Sequence, residues 1–168
     1  MSRACLDNHI LIWGIRGVAD VGQEIMIRRA KALFEELEDQ DADILVPAVV
    51  VSEFLAGVPK SQHAELLKAL NRRFQLPPFD VRAAAVAAGL WRDAAERKPH
   101  LREQIREAFP ETSRVKIKAD IQILATALAR NADVLYTHDG ALRMIAEGSI
   151  EVRGLPPPPA AQVELFTP

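Results

Sequence analysis

The apolar residues follow two spacings that alternate along the chain. Short continuous runs predict buried strands at 44–46 and 134–136. The first element, residues 4–13, is apolar on both sides of a polar triplet and predicts a strand with Asp7 at or near its carboxyl end. Apolar residues three and four positions apart predict helices between these runs. We place the helices at 25–37, 49–58, 61–73, 81–96, 116–129 and 141–147, with one more short helix within 99–113.

Local signals refine these boundaries. Ser61 and Asp80 are predicted to cap the helices that follow them, and the chain breaks at residues 130–131. Two further short strands are predicted at 74–76, where two prolines follow, and at 150–152, at an edge. Strands that alternate with helices predict an α/β fold, here a three-layer α/β/α sandwich on a mainly parallel sheet. The domain is expected to span 1–155, followed by a Pro-rich tail at 156–168.

Acidic residues interrupt this apolar pattern at four places. Asp7 and Asp139 follow predicted strands, and Glu53 and Asp120 lie on or beside apolar helix faces. Because ligands bind at the carboxyl ends of parallel strands, the four carboxylates are expected to share one edge of the sheet. Gathered carboxylates repel one another, and oxygen-only ligands favour Mg²⁺ or Mn²⁺ over Zn²⁺. The pattern therefore predicts a divalent-metal site.

Each acid also has a purely structural interpretation. Asp120 is compatible with a carboxylate at a helix N-terminus, Asp139 with an N-cap, and Glu53 with a solvated helix position. Asp7 has little structural use inside an apolar run. The four histidines have no ligand spacing and are interpreted as structural or surface residues, and the two tryptophans as core residues.

Composition narrows the functional class only slightly. The 168 residues carry a net charge of -2, so nucleic-acid binding would have to be local. Cys5 stands alone, which excludes a disulfide framework, and no apolar run has the length of a membrane span. A cytoplasmic protein is the expectation. The segment 92–118 is the local exception, because its eight basic and five acidic residues give +3 against -5 for the remainder.

Four sequence blocks resemble those of the PIN domain family. They are LDNHILIW at 6–13, PAVVVSEFLAG at 47–57, ADIQILATAL at 119–128 and Thr-His-Asp at 137–139. Their order and spacing are most similar to the VapC-like toxin ribonucleases of toxin–antitoxin pairs. Family members often carry Thr and Asn after the first Asp, where this chain has Asn8 and His9, and the segment 98–114 is longer than in minimal toxins.

The resemblance implies a PIN-like, metal-dependent endoribonuclease. Its catalytic acids would be Asp7, Glu53, Asp120 and Asp139, with Mg²⁺ or Mn²⁺ held by Asp7, Asp120 and Asp139. Glu53 would orient the attacking water or help to hold a second ion, and Asn8 and Thr137 would support the site. RNA hydrolysis would leave a 5′-phosphate and a 3′-hydroxyl.

The expected partners are an RNA substrate, an antitoxin protein and a second copy of the chain. Arg114, Lys116 and Lys118 lead into Asp120 and are predicted to guide RNA phosphates, although a solvated helix face gives the same pattern. The helices at 47–73 carry more apolar residues than one internal face needs, which predicts a homodimer or an antitoxin groove. The alternative function is a non-catalytic PIN-fold module that binds nucleic acid or protein.

Overall fold

A parallel sheet of four short strands forms the centre of the molecule. In the computed structural model, which describes residues 2–97 and 99–157, the strand order is β2-β1-β3-β4. The strands are β1 (Arg3–Leu6), β2 (Asp43–Leu45), β3 (Val134–Tyr136) and β4 (Glu151–Arg153). Leu6 pairs with Tyr136 in the register of β1 and β3, so the two central strands end side by side.

Helices surround this sheet. They are α1 (Asn8–Leu11), α2 (Ile25–Asp39), α3 (Ala48–Ala56), α4 (His63–Arg73), α5 (Val81–Arg97), α6 (Leu101–Ala108), α7 (Arg114–Ala129) and α8 (Gly140–Ala146). A π-helical turn, Ile12–Arg16, continues α1, and a 3₁₀ turn, Lys60–Gln62, precedes α4. No helix in the described ranges is long and apolar enough to cross a membrane.

The central strands are covered on both faces. Ala4, Cys5 and Leu6 in β1 are all buried, and so are all three residues of β3. Successive side chains of a strand point to opposite faces, so burial without alternation requires helices on both sides. The predicted α/β/α sandwich with a parallel sheet is confirmed.

The first strand ends at Leu6, so Asp7 follows its carboxyl end as predicted, but the assignment of the first apolar element to a strand is wrong for residues 8–13. Asp7 has extended backbone angles, and its side chain accepts a hydrogen bond from the Asn8 backbone N–H. Asp is among the best N-cap residues, so it starts a helix where the apolar pattern alone suggests that the strand continues. The apolar residues after Asp7 therefore belong to α1 and the π-helical turn.

Two predictions in the middle of the chain also need correction. Residues 74–76 do not form a full strand, because only a single parallel bridge joins Gln75 to Leu45 and the two following prolines have no N–H to extend a ladder. Ser61 lies within the 3₁₀ turn and does not cap α4. The Asp80 cap is confirmed by a hydrogen bond of 3.0 Å from the Ala83 N–H to its carboxylate.

The long helix and its surroundings follow the pattern closely. Ser113 caps α7 by accepting a hydrogen bond from the Lys116 N–H, so the helix begins two residues earlier than predicted. The break after it is real, since Asn131 has a positive φ of 54°. The strand at 134–136 and the helix after Asp139 are present, and the edge strand lies one residue later than predicted. From residue 158 onward the predicted tail lies outside the described residues.

Candidate active site

The candidate site lies where the direction of the strand order changes. From β1 the chain passes to β2 on one side, and the later strands β3 and β4 lie on the other side. The carboxyl ends of β1 and β3 therefore form the crevice at which open α/β sheets bind ligands. Asp7 follows β1 directly, and Thr137 follows β3.

Asp7 is held in this crevice by short hydrogen bonds. Its carboxylate, in a residue only 5% exposed, accepts from the Thr137 hydroxyl at 2.6 Å and from the Asn8 N–H at 2.7 Å. Its own N–H donates to the Tyr136 carbonyl, which extends the pairing of β1 and β3 by one residue. The sheet itself thus fixes the position of this carboxylate.

Thr137 links two of the four acids. Its buried hydroxyl donates to Asp7 and accepts a hydrogen bond of 2.9 Å from the Asp139 backbone N–H. A hydroxyl can donate one bond and accept others, so a single side chain orients both sides of the crevice.

Asp139 combines the structural and the chemical interpretation of its position. One carboxylate oxygen accepts from the Leu142 N–H at 2.9 Å and caps α8, and the other lies 2.5 Å from the Lys116 ammonium. Burial alone would raise the pKa of Asp139, but the hydrogen bonds from Lys116 and Leu142 outweigh burial and hold the pKa below its usual value. Asp139 is therefore an anion with one oxygen directed into the site.

Asp120 is the most unusual of the acids. It is 3% exposed on the second turn of α7, and one carboxylate oxygen lies 3.4 Å from the Lys116 ammonium. The other oxygen, Oδ2, is buried and has no hydrogen-bond partner among the described residues. Burial, together with repulsion from Asp139 and Asp7 and despite attraction to Lys116, raises the pKa of Asp120 to about 7.

Glu53 and Asn8 complete the wall of the cleft. Glu53 reaches it from α3, and its pKa is raised by partial burial and by the charges of Asp7 and Asp139, against the attraction of Lys116. The Asn8 side-chain oxygen is buried without a partner among the described residues. The cleft has a volume of about 380 Å³, and all four predicted acids line it.

Lys116 provides the cation that the four acids require in this structure. Its ammonium bridges Asp120 and Asp139, and burial, which lowers the pKa of an amine, is outweighed by these carboxylates, so the pKa of Lys116 is raised. Sequence reasoning grouped Lys116 with Arg114 and Lys118 and missed this role. The spacing of four residues between Lys116 and Asp120 was the available signal, because such residues are neighbours on a helix surface.

The donor chemistry of the cleft suits Mg²⁺ or Mn²⁺. Carboxylate oxygens are the ligands that these ions prefer, and the unpartnered Oδ2 of Asp120 is an oxygen that could bind such an ion. Among residues 2–97 and 99–157, however, no three His, Cys, Asp or Glu side chains are close enough together to hold an ion as they stand. The residues fit a divalent ion by type, provided that the Lys116 ammonium withdraws and the carboxylates close.

Known structures share this fold. No curated protein matches the sequence. Two solved structures match with 16% identity: a chain of VapBC2 from Rickettsia felis bound to a DNA fragment from their promoter, and a chain of DNA-bound VapBC from Salmonella typhimurium. The first has a TM-score of 0.57, and the match covers 92% of this chain and 99% of the matched chain. The second has a TM-score of 0.59, and the match covers 93% of this chain and 100% of the matched chain.

At this identity the two structures establish the fold. The sequence model of the PIN domain family matches residues 4–148, which include all four acids of the cleft and the strands that position them. This chain belongs to the PIN domain family.

Proposed function

We propose that this protein is a metal-dependent endoribonuclease that hydrolyses RNA phosphodiester bonds. The observation that carries the proposal is the convergence of Asp7, Glu53, Asp120 and Asp139 on one cleft at the sheet edge. Burying carboxylates side by side costs free energy, and the unpartnered oxygen of Asp120 makes no hydrogen bond that would offset this cost. Proteins of the PIN family are in general nucleases that use divalent metals, which supports the same conclusion.

The metal would be Mg²⁺ or Mn²⁺, held by Asp7, Asp120 and Asp139. When bound, such an ion lowers the pKa of a coordinated water and polarises a phosphodiester oxygen. Thr137 keeps Asp7 and Asp139 in orientation through its two hydrogen bonds. Glu53, whose pKa is raised by partial burial and by the charges of Asp7 and Asp139, orients the attacking water, and Asn8 offers its unpartnered oxygen to the same cleft.

RNA phosphates reach these acids along the first turns of α7. Arg114 and Lys118 are exposed there, and Lys116, once released from Asp120 and Asp139, adds a third positive charge. Positive charge beside the acids is needed because phosphates are repelled by carboxylates.

We further propose that the protein is the toxin of a toxin–antitoxin pair in the cytoplasm. The two similar structures are VapBC complexes bound to DNA, which supports a partner protein for this chain as well. Apolar residues on α3 and α4 supply a contact surface, since Leu67 is 39% exposed and Leu55 and Leu66 are only partly buried. The same surface suits a homodimer.

A non-catalytic binding module is the second candidate. The observation in its favour is that Lys116 already neutralises Asp120 and Asp139 without a metal. Such a module would hold RNA or protein at this cleft and leave the RNA intact.

Cleavage assays with matched variants separate the two candidates. We expect the wild type to cut single-stranded or structured RNA in Mg²⁺ or Mn²⁺ and to stop in EDTA. Asp7→Asn and Asp120→Asn should each lower the rate by several orders of magnitude, with the fold checked by circular dichroism. Asp39→Asn, at the exposed end of α2, is the control and should cut like the wild type. Asp7→Asn and Asp120→Asn variants as active as this control would refute the nuclease.

A further inference from the structure

A second concavity lies beside the acidic cleft, on the other side of the first turns of α7. We call it the Trp91 pocket. It has a volume of about 280 Å³ and is lined by Trp91 of α5, Arg102 and Arg106 of α6, and Arg114, Val115 and Lys118 of α7, with Ile117 beneath. Val115, which is 77% exposed, also lines the acidic cleft. The two cavities are therefore neighbours, separated by one side chain.

The chemistry of this pocket is opposite to that of the cleft. Its walls are apolar, formed by Trp91, Val115 and Ile117, and no acidic side chain among the described residues lines it. Four cationic side chains surround them, and none of the four forms an ion pair with a carboxylate of a described residue. They are Arg102, Arg106, Arg114 and Lys118. Cations around an apolar floor favour an anionic ligand that also has a flat or apolar part.

One face of Trp91 already holds a stacked cation. The Arg102 guanidinium lies over this ring, 4.9 Å from its centre, although Arg102 is otherwise exposed. Guanidinium groups and nucleobases are both flat and stack on indole rings. A base can therefore take the position of Arg102 once this exposed side chain moves away from the ring.

Helix α6 contributes two arginines to the Trp91 pocket. The buried residues Leu101 and Ile105 anchor this helix to the core, while Arg102 and Arg106 remain exposed on the side of the pocket. This part of the chain lies outside the four blocks that resemble the family.

We propose that the Trp91 pocket binds one nucleotide of single-stranded RNA next to the phosphate that is cut. The base stacks on Trp91, and Arg114 and Lys118 hold the phosphates that run past Val115 into the acidic cleft. The proposal rests on the ribonuclease function, for which it names a substrate subsite. An acidic peptide would satisfy the cations, but it makes no use of an aromatic face that is continuous with a phosphodiester-cutting cleft.

Binding of short RNA in EDTA tests the pocket without cleavage. Fluorescence anisotropy would measure the affinity for a labelled single-stranded oligoribonucleotide. The same measurement would be made for a series of oligoribonucleotides of the same sequence, each lacking the base at one position. We expect one abasic position to weaken binding to the wild type by about tenfold, the scale of one stacked base. The Trp91→Ala variant should be insensitive to the same abasic position.

Exposed charges give a second variant that does not depend on repacking the core. Arg102→Gln combined with Arg106→Gln should weaken RNA binding by about tenfold and reduce its salt dependence. Lys68→Gln combined with Arg72→Gln removes the same charge from exposed positions of α4 and should leave affinity within about twofold of the wild type.

Each other outcome decides against the pocket. The proposal would be overturned if no abasic position weakened binding, or if the two double variants lost affinity equally. It would also be overturned if a polyglutamate peptide displaced every oligoribonucleotide of the abasic series equally well. The proposed function is judged separately. If the protein cuts RNA in Mg²⁺ but no abasic position weakens binding, only the pocket proposal fails. If one abasic position weakens binding but the RNA is never cut, only the nuclease proposal fails.

Discussion

Lys116 decides the electrostatic state of the cleft in the absence of metal. Its ammonium lies 2.5 Å from Asp139 and 3.4 Å from Asp120, and it is 42% exposed. A divalent ion held by the same carboxylates would meet this positive charge at short range. Because the lysine stem is flexible and partly exposed, the ammonium can leave, but each departure costs the two ion pairs.

The variant Lys116→Met measures that competition. We expect Mn²⁺ to bind the variant more tightly than the wild type, by about tenfold, because a cation no longer occupies the carboxylates. Lys118→Met is the matched control. Lys118 lies two residues further along α7, its side chain is exposed and does not contact the acids, and the substitution removes the same charge. Titration followed by electron paramagnetic resonance would give both affinities. Equal affinities in the two variants would show that Lys116 does not compete with the ion.

The four acids were predictable one by one, but their interactions were not. Each acid interrupts an apolar stretch, and this alone placed Asp7 and Asp120 in a buried setting. The sequence pattern does not reveal that Thr137 bonds to Asp7 across 130 positions of the chain, or that Asp139, whose N-cap role it does indicate, also binds Lys116. Such contacts depend on the register of β1 with β3 and on the approach of α7, which local spacing does not contain.

At the scale of elements, the turn after β1 is where sequence reasoning failed. The run from Ile10 to Trp13 is as apolar as a buried strand, and apolar content alone does not separate a short buried strand from a short buried helix. The N-cap at Asp7 decided the outcome. The π-helical turn that follows packs against α2, and Gly14 lies directly beside the buried ring of Phe34.

Gly14→Ala tests how tightly this turn is packed. An added Cβ would overlap the Phe34 ring, which is 1% exposed within the core. We expect the free energy of unfolding to fall by about 1–3 kcal/mol in urea denaturation. The control is Gly89→Ala in α5, where an added Cβ meets no atom within 4 Å, and stability should instead rise by about 0.5–1 kcal/mol. A Gly14→Ala protein as stable as the control would show that the turn tolerates the extra atom.

The segment after β4 is fastened back to the domain by two basic side chains. His138 accepts a hydrogen bond from the Leu155 N–H through Nε2, and Arg29 donates to the carbonyls of Leu155 and Pro156. Accepting at Nε2 requires a neutral ring. Burial, with the nearby positive charges of Arg29 and Arg143 and of His9, lowers the pKa of His138, against a small opposing effect of Asp7.

This contact should therefore weaken in acid. A folded pKa below the ordinary value of 6.5 means that the neutral ring stabilises the folded protein above pH 6.5, and that this contribution is lost as pH falls through the folded pKa. We expect the amide resonance of Leu155 to shift in NMR spectra along the His138 titration, below pH 6.5. His138→Gln keeps an acceptor that does not titrate, so its Leu155 resonance should stay constant. A Leu155 resonance that also moves in this variant would assign the change to another group.

For the whole molecule, the alternation of strands and helices was sufficient to predict the architecture. Parallel strands with buried residues on both faces, such as Ala4 to Leu6, can exist only between layers of helices. The strand order was not predictable from periodicity, because the strands are only three or four residues long and carry little register information. Yet the order β2-β1-β3-β4 is what brings Asp7 and Asp139 to the same crevice. The candidate site therefore depends on the strand order, which is the feature of the fold that is hardest to predict from the sequence.

The chemistry of the RNA ends tests the central claim most directly. Wild type and Asp120→Asn would be incubated with the same single-stranded RNA in Mg²⁺, and the fragments analysed by mass spectrometry. Attack by a metal-activated water predicts fragments with a 5′-phosphate and a 3′-hydroxyl, formed by the wild type and absent for Asp120→Asn and in EDTA. Fragments with 2′,3′-cyclic phosphates, or the same fragments from both proteins, would contradict a nuclease built on these carboxylates.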